Sequence, residues 1–456
     1  MLALSLCAFP TFAQASSNQD IELQIQTLSK QLSVLQNEFK ANQEKVKVLQ
    51  DHQVAMKAEE KRQLVLATKQ NSPPSQPFVP PMFAKAPGQV PMFTFGNQEV
   101  SFTPYGLMSL GLRNISNWGD KSVNQLETSQ YQADRLGGRL FFKLDKNSSL
   151  AAIFEMGYNG MDGSLGQGGR IFGRQLYVAY VNNKYGMLSA GKQLDDMSSA
   201  LWWSVGLTQF DGGPHVGDSD NLGQTFRLAN DLKYSTPEID HIKASVSYAF
   251  SNTTEQADNS AYSGGVVYDN QKPDTGFRLG AGVLVINKPQ YKDNTTGQID
   301  GSVTDSYGAF SPFMQGPNGV AAQVKQHTIF ALGSEYRYHN ITVGGDYSNV
   351  KFKYMSSSSL GLQNIEAFSM YNFTKNFLVG GNTVYTWGHY SNGYNPHYIQ
   401  FSAGLNYFVG QFVTLFAVDT YQRAGGSAKY AQIDLIAEPS TTKTQNVVMS
   451  GVRIAF

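Results

Sequence analysis

Between Phe102 and the C-terminal Phe456, apolar and polar residues alternate in short runs broken by Gly, Asn, Asp and Pro. A period of two is what a strand shows when its two faces meet different media. The clearest stretch runs from Arg135 to Gln193. Arg139–Asp145 breaks at Lys146-Asn147-Ser148, Leu150–Tyr158 returns, and a Gly-rich loop follows at 160–169. Ile171–Val181, the turn Asn182-Asn183-Lys184 and Tyr185–Gln193 complete it. Short turn, long loop, short turn is the rhythm of a transmembrane β-barrel.

The same rhythm predicts a strand at Phe102–Ile115 and pairs at Phe226–Ser235/Ile242–Phe250, Tyr262–Tyr268/Phe277–Ile286 and Val324–Tyr338/Ile341–Tyr354. Gly361–Tyr371/Phe377–Trp387 and Tyr398–Tyr407/Phe412–Tyr421 follow, with Gln445–Phe456 last. The sum is sixteen strands, an even number as a single-chain bacterial barrel requires. Two segments lack alternation and read as long loops, 194–225 and 287–322. Aromatics flank the tight turns (Tyr371, Phe373, Phe377; Tyr407, Phe408, Phe412), as an interfacial girdle demands. In the last strand Val448, Val452, Ile454 and Phe456 share the expected lipid face, and Arg453 points inward.

Upstream the period changes to 3.5. Ile21, Ile25, Leu28, Leu32, Leu35, Phe39, Asn42, Val46, Leu49, Gln53 and Met56 form a narrow seam flanked by Gln, Lys and Glu. That spacing predicts an α-helical coiled coil within residues 16–70, with Asn42 and Gln53 as polar insertions. An amphipathic helix packed on its own domain is the alternative, and the mixed Ile/Leu seam leaves the strand number open. Seven prolines between Pro73 and Pro91 break the helix, so 71–100 reads as an extended linker before a barrel domain at 101–456. Leu2–Phe12 followed by Ala13-Gln14-Ala15 reads as a secretory signal spanning 1–15, although no basic residue precedes it. Cys7, the single cysteine, falls inside it, and Leu6 stands where a lipoprotein signal would place a small residue.

Composition narrows the class. Net charge is +0 and charged residues make up 15%, which excludes an electrostatic nucleic-acid partner. Aromatics at 12% with 44 glycines suit a barrel, but a soluble β-sandwich or propeller shares that composition. No run of 18 apolar residues follows the signal, so an exported chain this rich in strands is secreted or a closed barrel.

From Thr103 onward the sequence resembles the general porins of Gram-negative outer membranes, in particular the trimeric neisserial and proteobacterial type. Tyr105-Gly106, Asp134-Arg135-Leu136-Gly137, Gly173-Arg174-Gln175, Gly191-Lys192-Gln193, Tyr234-Ser235-Thr236-Pro237-Glu238 and the terminal Phe456 carry the resemblance by their order and spacing. Lys192 stands where the family usually has Arg, and Gly138-Arg139-Leu140 replaces a shorter Gly-Phe-Lys-type run. The stalk is not typical of these porins, although phosphate-selective porins carry something similar. The resemblance implies a homotrimer in outer-membrane lipid, with its third extracellular loop folded into the lumen. That loop would be 194–225, carrying Asp195, Asp196, Asp211, Asp218 and Asp220. Arg135, Arg139, Lys143, Arg174 and Lys192 would line the facing wall. Parity supports an inward Arg135, Arg139 and Lys143, because Leu136, Leu140, Phe142 and Leu144 take the other face and a charge at lipid mid-depth costs about 2–4 kcal/mol. For Arg174 and Lys192 parity is ambiguous. Ordinary solvated lumen charges are the alternative for each residue.

Enzymatic chemistry finds no support. Gly186 to Lys192 matches phosphate-loop spacing, but Gln193 replaces the Ser or Thr and the segment reads as a strand. Asp162-Gly163-Ser164-Leu165-Gly166 lacks the first glycine of a nucleophile elbow. The seven histidines form no H-x-x-x-H pair, so no structural zinc site and no cofactor is expected. Two functions remain: a passive diffusion channel, or a barrel used as an anchor whose stalk or loops bind peptidoglycan or another partner. Sixteen strands enclose a lumen that an anchor does not need, which favours the channel.

Overall fold

The computed structural model describes residue 99 onward, apart from 129–132, 207–209, 211–212, 214, 226, 252–258, 290–323, 432 and 434–439. It also describes the backbone of 93–95 and scattered positions between 26 and 47. The chain divides into two units, Met1–Gln76 and Pro77–Phe456. In the first, Gln26, Ser29, Lys30, Ser33, Gln36, Asn37, Lys40, Gln43, Glu44 and Lys47 are helical and exposed. The expected seam residues Ile21, Ile25, Leu28, Leu32, Leu35, Phe39, Asn42, Val46 and Leu49 lie outside the described residues, as do the signal and most of the linker.

The second unit is a closed antiparallel barrel. Its strands are β1 (Phe93–Phe95), β2 (Val100–Trp118), β3 (Lys121–Thr128), β4 (Arg135–Lys143), β5 (Ser148–Gly157) and β6 (Gln175–Asn182). Next come β7 (Gly186–Gln193), β8 (Leu228–Ser235), β9 (Ile242–Ala249), β10 (Ser260–Asp269), β11 (Thr275–Asn287) and β12 (Val324–Tyr338). β13 (Ile341–Tyr354), β14 (Ser359–Thr374), β15 (Phe377–Tyr390), β16 (Pro396–Val409), β17 (Val413–Gly426) and β18 (Thr444–Ala455) complete it. Sixteen of these, β2 and β4 to β18, are the staves, each paired with the next in sequence. β18 closes on β2 in register from Val447↔Ile115 to Ala455↔Leu107. The closure ends in reciprocal backbone hydrogen bonds of 3.0 Å between Gly106 and Phe456. No stave keeps an open edge, which is the condition for backbone to stand in hydrocarbon.

β1 and β3 depart from the sixteen expected strands. The upper half of β2 pairs with β3 and its lower half with β4, so β3 extends the first hairpin above the staves. β3 reads KSVNQLET and has no buried face, so it carries no alternation to reveal it. β6 starts at Gln175, later than the apolar run suggested, because Ile171 and Phe172 sit exposed in the preceding loop.

Side chains sort by parity. Leu136, Leu176, Val178, Val246, Leu279, Leu332 and Ile365 are exposed on the outer face, whereas their strand neighbours on the inner face are covered. Exposed aromatics mark both rims. Tyr371 stacks edge-on to Phe373 at 4.7 Å near the short turns, and Tyr248 to Phe250 at 4.9 Å near the long loops. Lipid-facing rings at two levels bound an apolar band.

The closing seam depends on a glycine pair. Gly111 lies directly opposite Gly451, and a Cβ on Gly451 would stand 2.6 Å from the Gly111 Cα. Backbone cannot rotate aside, so a side chain there parts the two closing strands. Gly451→Val is expected to destabilise the barrel by about 1–3 kcal/mol. Heat-modifiable gel mobility should show the unfolding temperature falling; an unchanged temperature would contradict the account.

Candidate functional site

After β7 the chain turns into the lumen. Asp195 begins the turn by capping helix α1 (Asp196–Leu201): its carboxylate accepts from the Ser198 N–H at 2.8 Å, the Ser198 hydroxyl at 2.6 Å and the Asn221 amide at 2.8 Å. The backbone N–H groups of Asp196 and Met197 donate to Ser263 Oγ on β10 at 3.0 and 3.1 Å. That hydroxyl, with Lys233 of β8 3.5 Å from Asp196 Oδ1, docks the helix start on the wall.

What lets the loop lie so close is the absence of side chains beneath it. An added Cβ would meet Leu201 Cδ2 at 2.8 Å from Gly280, Met197 Cα at 2.8 Å from Gly282 and Ser204 Cβ at 2.6 Å from Gly333. On Gly380 it would meet the Phe210 ring at 2.7 Å and on Gly404 the Phe210 Cβ at 2.6 Å, and on Gly265 it would clash with the Asp196 carbonyl. All six glycines hold inward positions of β10, β11, β12, β15 and β16. Met197, Leu201 and Phe210 of the loop are fully buried against this bed.

The far end of the loop is held by polar contacts. His215 Nδ1 lies 2.5 Å from Asp220 Oδ2, and its Nε2 lies 3.1 Å from Glu366 Oε2 on β14. Asp220 also accepts from Ser348 at 2.5 Å and Asn364 at 3.1 Å. His327 Nε2 reaches the Ser219 carbonyl at 2.8 Å, and Gln400 donates to the Gly213 carbonyl at 3.2 Å. Asp218 folds the return: it accepts from the Gly223 and Thr225 N–H groups at 2.8 and 3.0 Å. Burial, with Asp220 nearby, pushes the Asp218 carboxyl up to about 7. Burial likewise pushes Asp195 above the usual carboxylate range, against the Ser198 hydrogen bonds.

The aspartates expected to face the lumen are therefore placed differently. Asp195, Asp196 and Asp220 are 0% exposed and Asp218 3%, each turned into the loop or the wall behind it. A carboxylate at a helix N-terminus or tight return satisfies backbone N–H groups that a non-repetitive loop leaves over. Asp211 lies outside the described residues.

On the wall across β2, β4 and β5, three of the five predicted basic residues come together. Glu155 pairs directly with Gly137, which puts Arg135 and Arg139 two residues to either side of its partner. Arg174 Nε lies 2.7 Å from Glu155 Oε1. The Tyr105 hydroxyl donates to Glu155 Oε2 at 2.9 Å, its ring crossing Gly137, where a Cβ would stand 2.6 Å from Cζ. The Arg139 guanidinium covers that ring at 4.5 Å from its centroid. Arg227, whose charge also acts on Glu155, joins them from the end of the loop.

Lys143 and Lys192 stand elsewhere. Lys143 shares the Arg139 face but is exposed at the short-turn end of β4, and its N–H donates to the Glu99 carbonyl at 2.7 Å. Lys192 takes the outer parity, directly opposite Leu176, which is 50% exposed. It sits at the loop end of β7, where a long cationic chain reaches the interface at little cost. Arg227, Glu155, Tyr105, His215 and Glu366 were not anticipated. Only the glycines could have signalled the bed, because they recur at inward parity on neighbouring strands.

Comparison with known proteins fits this geometry. Residues 89–429 match the family described as Gram-negative porin. The chain belongs to the Gram-negative porin family. An outer membrane porin protein of Bordetella pertussis is 26% identical over 201 residues, 41% of this chain and 52% of that protein. The match thus spans about half the length of the curated relative. Among solved structures, the anion-selective porin from Comamonas acidovorans superposes with TM-score 0.62 at 17% identity, covering 78% of this chain and all of that one. OmpT of Vibrio cholerae gives TM-score 0.56 at 14% identity, over 80% of this chain and 99% of that one. The porin is thus an outer-membrane protein whose lumen holds an inward-folded third loop.

If the glycine bed positions that loop, Gly282→Val in this porin lifts α1 off β11. The expected result is a barrel that still forms, with single-channel current noisier than the unaltered protein's. Quiet, unchanged current from a correctly folded variant would show the bed to be dispensable.

Proposed function

We propose that this porin is a passive diffusion channel for ions and small polar solutes, working as a homotrimer. One observation supports the reading above the rest: a built loop crosses the lumen of a closed barrel and leaves an arginine wall opposite it. An anchor needs no such device. At that level Arg135, Arg174 and Arg227 act on one carboxylate, Glu155, with Arg139 over the Tyr105 ring beside them, while Asp195, Asp196, Asp218 and Asp220 are turned away. Cationic excess in a narrow aqueous passage favours anions and orders polar solutes. The transverse field between acidic loop and basic wall that the sequence suggested becomes, on this reading, a one-sided field from the wall.

Coiled-coil residues Ile21 to Leu49 are proposed as a trimerising stalk. The chain enters β2 at the short-turn rim, which supports a periplasmic location where peptidoglycan is within reach. The other short-rim and long-loop assignments follow the usual arrangement of periplasmic turns and extracellular loops.

Purified porin in a planar bilayer with a salt gradient tests the channel. Conductance steps in groups of three and a reversal potential of anionic sign are expected, and Arg135→Gln with Arg139→Gln should move that potential toward cations. Silent insertion of a folded, β-rich protein would sink the channel and return the anchor. A cation-selective pore would sink the role given to the arginine wall.

A further inference from the structure

The contacts of His215 leave a point in the loop–wall junction that calls for positive charge. Its Nδ1 faces Asp220 Oδ2 at 2.5 Å, while Nε2 faces two carboxylate oxygens, Glu366 Oε2 at 3.1 Å and Asp346 Oδ1 at 3.3 Å. With the proton on Nδ1, the Nε2 lone pair confronts two anions. With a proton on both nitrogens, one N–H serves two acceptors. Asp346 Oδ1 accepts no hydrogen bond, although Asp346 is only 6% exposed. A buried carboxylate oxygen that accepts no hydrogen bond is costly and asks for an occupant.

We propose that His215 Nε2, Asp346 Oδ1 and Glu366 Oε2 bind a divalent first-row transition cation, with Zn²⁺ the probe of choice. The three atoms lie within 4.8 Å of one another, and all three residues are buried. Each carboxylate has its other oxygen fixed. Glu366 Oε1 accepts from the Gly206 N–H and the Asn382 amide, both at 2.8 Å, and Asp346 Oδ2 accepts from Ser204 at 3.3 Å. The remaining oxygens turn to the same point. Asp220, itself held by Ser348 and Asn364, sets the imidazole tautomer from behind, the carboxylate–histidine–metal arrangement that metal sites use. One imidazole nitrogen with two carboxylate oxygens suits Zn²⁺ better than Ca²⁺ or Mg²⁺, which take oxygen shells. The cation would tie the loop to β13 and β14, a role separate from solute passage.

The test is calorimetric titration of ZnSO₄ into full-length protein, stripped with chelator and folded in detergent. One Zn²⁺ per chain is expected, lost in His215→Gln and weakened about 10–100-fold in Asp220→Asn. Heat-modifiable mobility verifies that each variant folds. Should His215→Gln fail to fold, zinc-edge X-ray absorption on the unaltered chain decides: one imidazole among oxygen ligands supports the site. No zinc beyond the level of His215→Gln, or a shell with several imidazoles or none, overturns it and leaves a protonated His215 as the pin.

Discussion

Contact between the loop 194–227 and a bed of glycines is the constraint on which the rest of the molecule depends. A barrel of sixteen strands encloses more space than its own side chains fill, and water occupies what remains. A segment crossing that space must satisfy its backbone and bury its apolar residues without a core of its own. Here the wall supplies both. Inward glycines at 265, 280, 282, 333, 380 and 404 let backbone approach backbone, and Ser263, Glu366 and Gln400 reach the loop's polar groups. Met197, Leu201 and Phe210 are buried as deeply as residues in a soluble core, although they stand inside the lumen of a barrel.

Charge divides along the same line. The aspartates of the loop hold it in shape: Asp195 caps a helix, Asp218 folds a return, and Asp220 grips His215. The arginines of the opposite wall gather instead around a single acid, with Tyr105 and Arg139 stacked between strands. Residues of opposite sign thus sit differently, the aspartates bound into the loop and the arginines gathered on the wall, where the proposed function gives them an electrostatic task.

Much of this was legible in the sequence. Period-two alternation survives in most staves because lipid and lumen differ so sharply as solvents, and a one-residue slip would put Arg139 in hydrocarbon. β3 was not legible, since water bathes both its faces. The loop was visible as a gap in alternation, but its docking was not, because His215 meets Asp346 and Glu366 across more than a hundred residues of intervening chain. Arg174 and Lys192 looked alike; pairing Lys192 with exposed Leu176 and Arg174 with buried Glu155 separates them. Glycine at inward positions of β10, β11, β12, β15 and β16, where no turn or bulge requires it, is the trace the docking leaves in the sequence.

Amide hydrogen exchange on the folded protein in detergent tests the docked loop most directly. The Asp196, Met197 and Gly206 N–H groups donate to the wall, and Met197, Leu201, Phe210 and Leu222 are fully covered. Peptides covering 194–206 and 215–225 are expected to exchange as slowly as those from β11 to β14, and far more slowly than those from the exposed turns. Exchange at the rate of an exposed turn would mean that the loop is not held on the glycine bed, and would contradict the account.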